Sequence, residues 1–483
     1  MEENYTQKDT YFFNKEIALQ EANKKHRVYT NSTEIDGLQI CFYTDDEPLE
    51  NAPENCIYVP LENVYNYFAT TKNRFPGIIN FDNTGYSLGE QTEIQSQFNA
   101  VMRAAIMERQ NLENIYKEEV SKQIPNFEEE ELRIFVPACR ETTVMQYVSK
   151  NIAEALQELG YNAKFFIQDN EMQTCSDRLP LFVDLHGFNP HIFIGINHLN
   201  NDIINENVFS FIWFQDPMPV LYDKSSINIR SRDYIYTLFD EYTEALIKKG
   251  VDKNKIFHQP FATNPKLFNK DESIPRKDKV IFLGSDYNFD GDMGLDDELI
   301  EKINIHIENN TLSMELIKHM ADDYAYDFEK FKMYIIPSLV RRRVVIWLCS
   351  LENVEVEVYG TDTWLQNPEV VPYYKGLLPY GEKMSKVYNG AKYALAAHPQ
   401  YRYQQRVIEM SACGTIPIVY DCSLVTENFY HENNVLSFST FEELKECIGK
   451  EPKEDASKIA EDISYKNMAK DIINKVQNHL KAK

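Results

Sequence analysis

Residues 402–420 read RYQQRVIEMSACGTIPIVY, which has helical spacing, then small residues ending in Gly414, then a β-branched run. The predicted helix lies between two apolar runs of strand length, KYALAAH and IPIVYD. Arg406 and Glu409 lie one helical turn apart in its helical part. These opposite charges form either a local ion pair on a solvated helix or two groups that face a ligand.

Apolar runs of strand length alternate with helical or loop segments along most of the chain. One series is LRIFVPA, NAKFFIQ, HIFIGIN, VFSFIWFQD, DYIYTLF and KIFHQPF, and a second is KVIFLGS, VEVEVYG, KYALAAH, IPIVYD and VLSFS. Near-continuous apolar strands that alternate with helices are typical of parallel sheets covered on both faces. We therefore predict an α/β chain with two Rossmann-like domains that face a cleft.

The pattern divides the chain into four segments. Residues 1–130 form an N-terminal α/β extension with the strand-like runs GLQICFYT, NCIYVPL and GIINF and a long helix over about 90–123. The two Rossmann-like domains follow at 131–270 and 271–455, and residues 456–483 form a C-terminal helix that crosses back. We expect the extension to select an acceptor or to make a homo-oligomer contact.

Composition excludes several classes of function. The 483 residues are 43% hydrophobic and carry a net charge of −25, which disfavours nucleic-acid binding. Eight cysteines are scattered without a C-x-x-C pair, which predicts free thiols and no structural zinc. No apolar run approaches a membrane span, and the start lacks the pattern of a signal peptide. We expect a cytoplasmic protein.

The helix after KYALAAH starts at the carboxyl end of a strand, where ligands bind in such sheets. Its free N–H groups and positive dipole end suit a phosphate or a diphosphate. Arg406 adds donors for phosphate oxygens, and Glu409 can accept from both hydroxyls of a ribose. This arrangement has the shape of a nucleoside diphosphate site.

The segments YKGLLPYGEKMSKVYNGAKYALAAHPQ, RVIEMSACGTIPIVYD and ENNVLSFSTFEELKECI together resemble the donor-binding half of GT-B glycosyltransferases. The similarity is greatest to the spore-maturation glycosyltransferase-like branch, related to family-four glycosyl transferase group 1 proteins. It covers roughly 131–475 and is strong over 354–450. It implies that Glu409 binds the donor ribose and that Arg406 lies near the diphosphate.

The resemblance extends to other donor residues. It implies that Gly284, with Ser285, forms the glycine turn beside the phosphates. It also implies that VYGTDTW, which contains Tyr359 and Gly360, holds the nucleotide base. No D-x-D element stands out at a strand end, so we predict a metal-independent enzyme without a cofactor.

One position departs from the family pattern. Many family-four enzymes carry a second Glu that touches the donor sugar, eight residues before the ribose Glu, and here that position is Tyr401. Tyr401, Tyr403 or His398 takes over part of its role. Whether the reaction retains or inverts the anomeric configuration stays open.

The first Rossmann-like domain would supply the acceptor site. His186 in VDLHGFNP, His198 in GINHLNN and Asp216 in FIWFQDPMP are the candidates for a catalytic base, which an inverting enzyme needs. A structural histidine and a turn-capping aspartate are the alternatives. The basic run 341–343 either meets the donor phosphates or forms a solvated surface face.

The sequence thus predicts a hexosyltransferase that moves a sugar from a nucleotide sugar, with UDP as the expected nucleotide, to a protein or glycan acceptor. Two alternatives remain. The first is a nucleotide-sugar 2-epimerase of the same fold, and the second is a non-catalytic binding module. Retention of both Arg406 and Glu409 argues against the second.

Overall fold

The computed structural model describes residues 9–24, 28–30, 33–35, 39–128, 131–142, 144–224, 226–287, 294–422, 424 and 428–482, the side chains of 28–30 and 33–35 excepted. The chain divides into two compact units, Met1–Phe257 and His258–Lys483. The finer predicted division into four segments stays a prediction. Within the described ranges, no helix is both long and apolar enough to cross a membrane.

The first unit begins with a small α/β sheet. Its parallel strands run in the order β5-β4-β1-β6, while β2 and β3 form a separate antiparallel pair. The predicted strands and the predicted long helix are confirmed, and a capping box of Ser87 and Glu90 starts that helix. The elements are β1 (Thr10–Phe12), α1 (Lys15–Ala22), β2 (Val28–Thr30), β3 (Thr33–Ile35), β4 (Cys41–Tyr43), β5 (Cys56–Tyr58), α2 (Val64–Thr70), β6 (Ile78–Asn80) and α3 (Leu88–Lys122).

A six-stranded sheet follows, in the order β12-β11-β10-β9-β7-β8. The ladders that join β8, β7, β9, β10 and β11 are parallel. All six predicted strands are present, and the central β9 and β10 are buried along their whole length. The elements are β7 (Arg133–Pro137), α4 (Met145–Glu158), β8 (Asn162–Phe166), α5 (Leu179–Phe188), β9 (Ile192–Ile196), β10 (Phe209–Phe214), α6 (Pro219–Tyr222), β11 (Asp233–Thr237), α7 (Asp240–Lys248) and β12 (Ile256–His258).

The second unit contains a five-stranded parallel sheet in the order β14-β13-β15-β16-β17. The five predicted strands are confirmed, and so is the prediction of two Rossmann-like sheets. The elements are β13 (Lys277–Leu283), α8 (Asp297–Glu308), α9 (Met314–Asp323), α10 (Phe328–Lys330), α11 (Ile336–Cys349), β14 (Glu355–Tyr359), α12 (Glu382–Asn389), β15 (Ala391–Ala396), α13 (Gln405–Ala412), β16 (Ile416–Tyr420), β17 (Leu436–Phe438), α14 (Phe441–Cys447), α15 (Ser457–Asp462) and α16 (Tyr465–Lys481).

Helix α13 starts later than its sequence pattern predicts, at Gln405 rather than near residue 402. Two side-chain contacts explain the difference. The Arg402 guanidinium lies 2.6 Å from the Asp421 carboxylate, just past the end of β16. The Tyr403 ring packs on the Phe429 ring at 4.4 Å between centroids. These contacts hold residues 402–404 as a non-helical segment at the carboxyl edge of the sheet.

Candidate active site

Strands β13 and β14 bring two glycines into contact at the carboxyl edge of the second sheet. A Cβ on Gly360 would lie 2.2 Å from the carbonyl oxygen of Gly284, so residue 360 must lack a side chain. The Gly284 N–H donates to the carbonyl of Tyr359 at 2.9 Å, and the indole of Trp364 donates to the Gly284 carbonyl at 2.8 Å. The structure thus brings together two glycines that the sequence assigns to the donor site.

Arg341 is a buried cation at this same edge, only 8% exposed. Its guanidinium donates to the backbone carbonyls of Ser285, at 3.1 Å, and Ala397, at 3.4 Å, and lies 4.1 Å from the centre of the Tyr287 ring. Among the described residues no carboxylate pairs with it. A buried charge without a counter-ion is costly, and an anionic ligand at this edge would compensate it.

His398 lies in the loop after β15, beside Arg341. Its ring stacks on Tyr401, with centroids 4.5 Å apart, and its Nδ1 accepts from the Gln400 N–H at 3.2 Å. Burial and, as the smaller cause, the charge of Arg341 together lower the pKa of His398 from 6.5 to about 3. The imidazole is therefore neutral, and because Nδ1 accepts, we assign the proton to Nε2, which can donate to a ligand.

Asp286 fixes the segment that follows β14, a role that its sequence context does not predict. The Arg342 guanidinium donates two hydrogen bonds of 3.0 Å to the Asp286 carboxylate, and the Asn367 amide donates a third, also at 3.0 Å. The Thr363 hydroxyl donates to the Asp286 carbonyl at 2.8 Å. Residues 361–367, which overlap the expected base-binding segment VYGTDTW at 358–364, are thus held at the end of β13.

Arg406 and Glu409 form an ion pair with each other. The guanidinium lies 2.8 Å from the carboxylate, which also accepts from the Gln405 amide at 2.9 Å. The Glu409 side chain is 0% exposed and that of Arg406 is 33% exposed. Burial raises the pKa of the Glu409 carboxyl, and the Arg406 guanidinium opposes that rise. Arg406 and Glu409 thus form a local ion pair, which was one of the two alternatives. The pair lies in the protein interior rather than on a solvated helix face.

Two predicted donor residues have contacts that fix the surrounding chain. Tyr403 is 3% exposed, and its hydroxyl accepts from the backbone N–H of Tyr430 at 2.9 Å. The Tyr359 hydroxyl donates to the Glu357 carboxylate at 2.9 Å. Tyr403 therefore fixes residues 402–404 against the loop at residue 430. Tyr401, stacked on His398, is half-buried at the carboxyl edge of the sheet.

In the first unit, Asp216 and His198 follow the adjacent strands β10 and β9. Asn197, which precedes His198, donates to the Asp216 carboxylate at 2.7 Å and accepts the backbone N–H groups of Gln215 and Asp216. Desolvation raises the pKa of the Asp216 carboxyl, and the hydrogen bond from Asn197 opposes this. Desolvation and the nearby Arg178 lower the pKa of His198, whose side chain is exposed.

The structure does not place His186 beside Asp216 and His198. It lies in the last turn of α5, where its ring meets the Tyr116 ring of α3 at 5.6 Å and its carbonyl accepts from the Gln123 amide at 3.0 Å. The end of that helix is tied to the beginning of β7, because Arg133 donates to the Asn189 carbonyl at 2.8 Å. His186 is therefore at the amino-terminal edge of the sheet, opposite to Asp216.

Residues 341–472 match the family model described as glycosyl transferase-like, a span that begins at Arg341 and includes Glu409. The predicted resemblance to glycosyltransferases is confirmed over these residues, and the two parallel sheets confirm the α/β fold class of two Rossmann-like domains. The comparison with curated proteins gives no match.

Several solved structures match 72–73% of this chain. The sucrose-phosphate synthase of Thermosynechococcus elongatus is 12% identical, with a TM-score of 0.44 over 73% of this chain and 100% of that one. A glycosyltransferase from Rickettsia africae is 10% identical, with a TM-score of 0.44 over 73% and 100% of the two chains. Anabaena HepE, in complex with UDP-glucose, is 9% identical, with a TM-score of 0.41 over 72% and 100%.

Proposed function

We propose that the protein is a metal-independent glycosyltransferase that moves a sugar from a nucleoside diphosphate sugar, with UDP as the nucleotide, to a protein or glycan acceptor. One observation carries this proposal. Arg341 is buried at the carboxyl edge of the second sheet without a carboxylate partner among the described residues. It lies within the part of the chain that matches the glycosyl transferase-like family.

The donor diphosphate would be held by groups that are already in place. Arg341 supplies a positive charge, the start of α13 supplies backbone N–H groups, and His398 supplies a neutral N–H donor. The backbones of Gly284 and Gly360 lie against each other, and a Cβ on Gly284 would lie 3.6 Å from the Arg341 guanidinium, so this glycine turn is next to the cation. Such fixed donors stabilise a departing diphosphate without reorganising during the reaction, and they supply the charge stabilisation that a metal ion gives other enzymes.

Glu409 would bind the ribose after its contacts with Gln405 and Arg406 are replaced by contacts with the ribose hydroxyls. Its carboxylate is fully covered in the free protein by Gln405 and Arg406. Because the Arg406 side chain is one-third exposed, it can turn towards a diphosphate, which leaves the carboxylate for the two ribose hydroxyls. Each charge keeps a partner before and after binding, so the internal ion pair preserves the site while no donor is bound.

Asp216 is the group we propose for the acceptor step. The Asn197 amide holds one of its carboxylate oxygens, which leaves the other to accept a proton from an acceptor hydroxyl in an inverting reaction. A raised pKa makes this carboxylate a stronger base than an ordinary aspartate. His198, on the neighbouring strand end, is a second candidate for acceptor contact.

Calorimetric titration with UDP, GDP, CDP and ADP in the presence of EDTA tests the donor site. We expect UDP to bind, and Glu409→Gln to weaken that binding at least about tenfold, or ~1.4 kcal/mol. Glu442→Gln is the control, because Glu442 pairs with Lys445 on the surface of α14. If a folded wild type binds none of the four nucleotides, or binds them only after Mg²⁺ is added, the proposal fails.

Turnover separates sugar transfer from epimerisation. A transferase releases the nucleoside diphosphate in proportion to glycosylated acceptor, whereas a 2-epimerase converts the nucleotide sugar with no acceptor present. We expect release from UDP-sugars to rise with added glycan or protein acceptor. Conversion of the sugar without acceptor would favour the epimerase.

A further inference from the structure

Two cysteines and a glutamate that are distant in sequence meet in the first unit. The Cys139 and Cys175 sulfurs and a Glu141 carboxylate oxygen all lie within 4.8 Å of one another. The Cys175 thiol is 3.1 Å from one oxygen of Glu141, and its backbone N–H donates to the other at 3.3 Å. All three side chains are half-exposed, so an ion can reach them. Within the described residues this is the one group of three with metal-ligand spacing.

Contacts around the cluster hold its two loops in register. Cys139 follows β7 and Cys175 lies in the loop after β8, at the carboxyl edge of the sheet. The Arg140 backbone N–H donates to the Gln168 side chain at 2.7 Å, and its guanidinium donates to the Gln168 carbonyl at 3.0 and 3.1 Å. The Thr142 hydroxyl donates to the Cys139 carbonyl at 2.7 Å. The three ligand atoms therefore need little rearrangement to share one ion.

We propose that Cys139, Glu141 and Cys175 bind a zinc ion. Two thiolates and one carboxylate suit a borderline-soft divalent cation, whereas Mg²⁺ and Ca²⁺ prefer all-oxygen sites. Three protein ligands leave one tetrahedral position for water or for a group of a ligand. Both thiol protons pass to solvent when the ion binds, so the occupied site carries a net charge of −1.

The ion would tie the β7–α4 loop to the β8–α5 loop at the edge where α/β sheets bind their ligands. The donor residues belong to the other unit, so this proposal does not depend on the nucleotide site. The sequence predicts free thiols and no structural zinc, because the two cysteines are far apart and no C-x-x-C pair is present. Only the fold brings them together.

Cobalt substitution tests the site in the full-length protein. Reduced, chelator-treated protein is titrated with Co²⁺, and we expect a thiolate-to-cobalt charge-transfer band that saturates at one equivalent and disappears when Zn²⁺ is added. Cys139→Ser and Cys175→Ser should each weaken the band, whereas Glu141→Gln should keep it and weaken Zn²⁺ in competition with a chromophoric chelator. Cys349→Ala is the control, because that buried thiol lies in the second unit.

Alkylation followed by peptide mass spectrometry adds a readout that needs no variant to fold. Zn²⁺ should protect Cys139 and Cys175 from alkylation together. Absence of a cobalt band in fully reduced protein overturns the proposal, as does a band that both serine variants retain. A Cys139–Cys175 disulfide in protein that binds no metal when reduced also overturns it and identifies a redox pair instead.

Discussion

The guanidinium of Arg406 lies 2.8 Å from the carboxylate of Glu409, and that carboxylate is completely buried. The two residues that the family resemblance assigns to diphosphate and ribose therefore neutralise each other in the free protein. Donor binding, in the proposed function, exchanges this internal pair for contacts with the ligand. The pair contributes to stability as well as to binding, so its variants must be measured for both.

Arg406→Met should destabilise the protein more than Glu409→Gln does. Removing Arg406 leaves a buried carboxylate without a cation, which costs about 3–5 kcal/mol of unfolding free energy. Removing the charge of Glu409 leaves a guanidinium that is still one-third exposed and can be hydrated. Urea unfolding of both variants beside the wild type measures the difference. Equal losses would show that the pair is not buried as described.

The stability of Arg406→Met relative to that of the wild type should also rise as the pH falls. Burial raises the pKa of Glu409, and without Arg406 nothing in the pair opposes that rise. A carboxyl whose pKa is raised in the folded state binds more protons there than in the unfolded state, so stability is greatest at low pH and is lost as the pH rises through the folded-state pKa. Unfolding at pH 5 and pH 8 checks the sign. A variant that loses stability on acidification as steeply as the wild type would contradict it.

His398 should make the wild type less stable in acid. Its folded-state pKa is about 3 and its ordinary value 6.5, so the unfolded chain takes up a proton that the folded protein excludes. Stability from this group is fully present above the ordinary value and is lost as the pH falls towards 3, by roughly 2 kcal/mol between pH 6.5 and pH 5. His398→Asn should remove that part of the pH dependence in denaturant titrations. An unchanged pH dependence in the variant would refute the assignment.

Gly360→Ala should disturb the donor edge. The added Cβ would lie 2.2 Å from the Gly284 carbonyl oxygen, so the strand ends must separate, at a cost of about 1–3 kcal/mol and with loss of nucleotide binding. Gly187→Ala is the matched control, because its Cβ would meet no atom within 4 Å and it lies in helix α5. Thermal unfolding and nucleotide titration test both. Wild-type affinity in Gly360→Ala would remove the glycine contact from the site.

Asp216→Asn should separate binding from catalysis. The asparagine keeps the shape of the side chain and can still accept from Asn197, but it cannot take a proton. Transfer to the acceptor should fall by about 10²–10⁴-fold, with nucleotide affinity unchanged. Steady-state transfer and calorimetry measure the two effects. Full activity would point to a retaining reaction, in which the leaving diphosphate takes the proton.

The strands could be predicted from the sequence because buried parallel strands leave uninterrupted apolar runs. All eleven runs assigned to the two Rossmann-like sheets correspond to strands. The start of α13 could not be predicted, because it depends on Arg402 meeting Asp421, a partner from another strand end. Local periodicity carries no information on such contacts.

Site geometry was predictable only in part. The glycines and the Arg406–Glu409 spacing are local features of the sequence. The buried position of Arg341, in contrast, depends on hydrogen bonds to the backbone carbonyls of residues 285 and 397, which are distant in sequence. Within a run of three arginines nothing distinguishes the one that turns inwards. His186 shows the reverse case, since a histidine in an apolar run proved to lie in a helix end at the opposite edge of its sheet.

The most direct test of the central claim is the UDP affinity and the stability of Arg341→Met, measured beside Arg343→Met. Arg343 is the matched control because it follows in the same helix and pairs with Glu308. Replacing a buried cation that has no carboxylate partner by an apolar side chain removes its desolvation cost but also its hydrogen bonds to the Ser285 and Ala397 carbonyls, so the unfolding free energy should stay about unchanged. We predict that Arg341→Met keeps the unfolding free energy of the wild type and loses at least about tenfold in UDP affinity. Arg343→Met should bind UDP as the wild type does. Equal UDP affinity in a folded Arg341→Met variant would contradict the account.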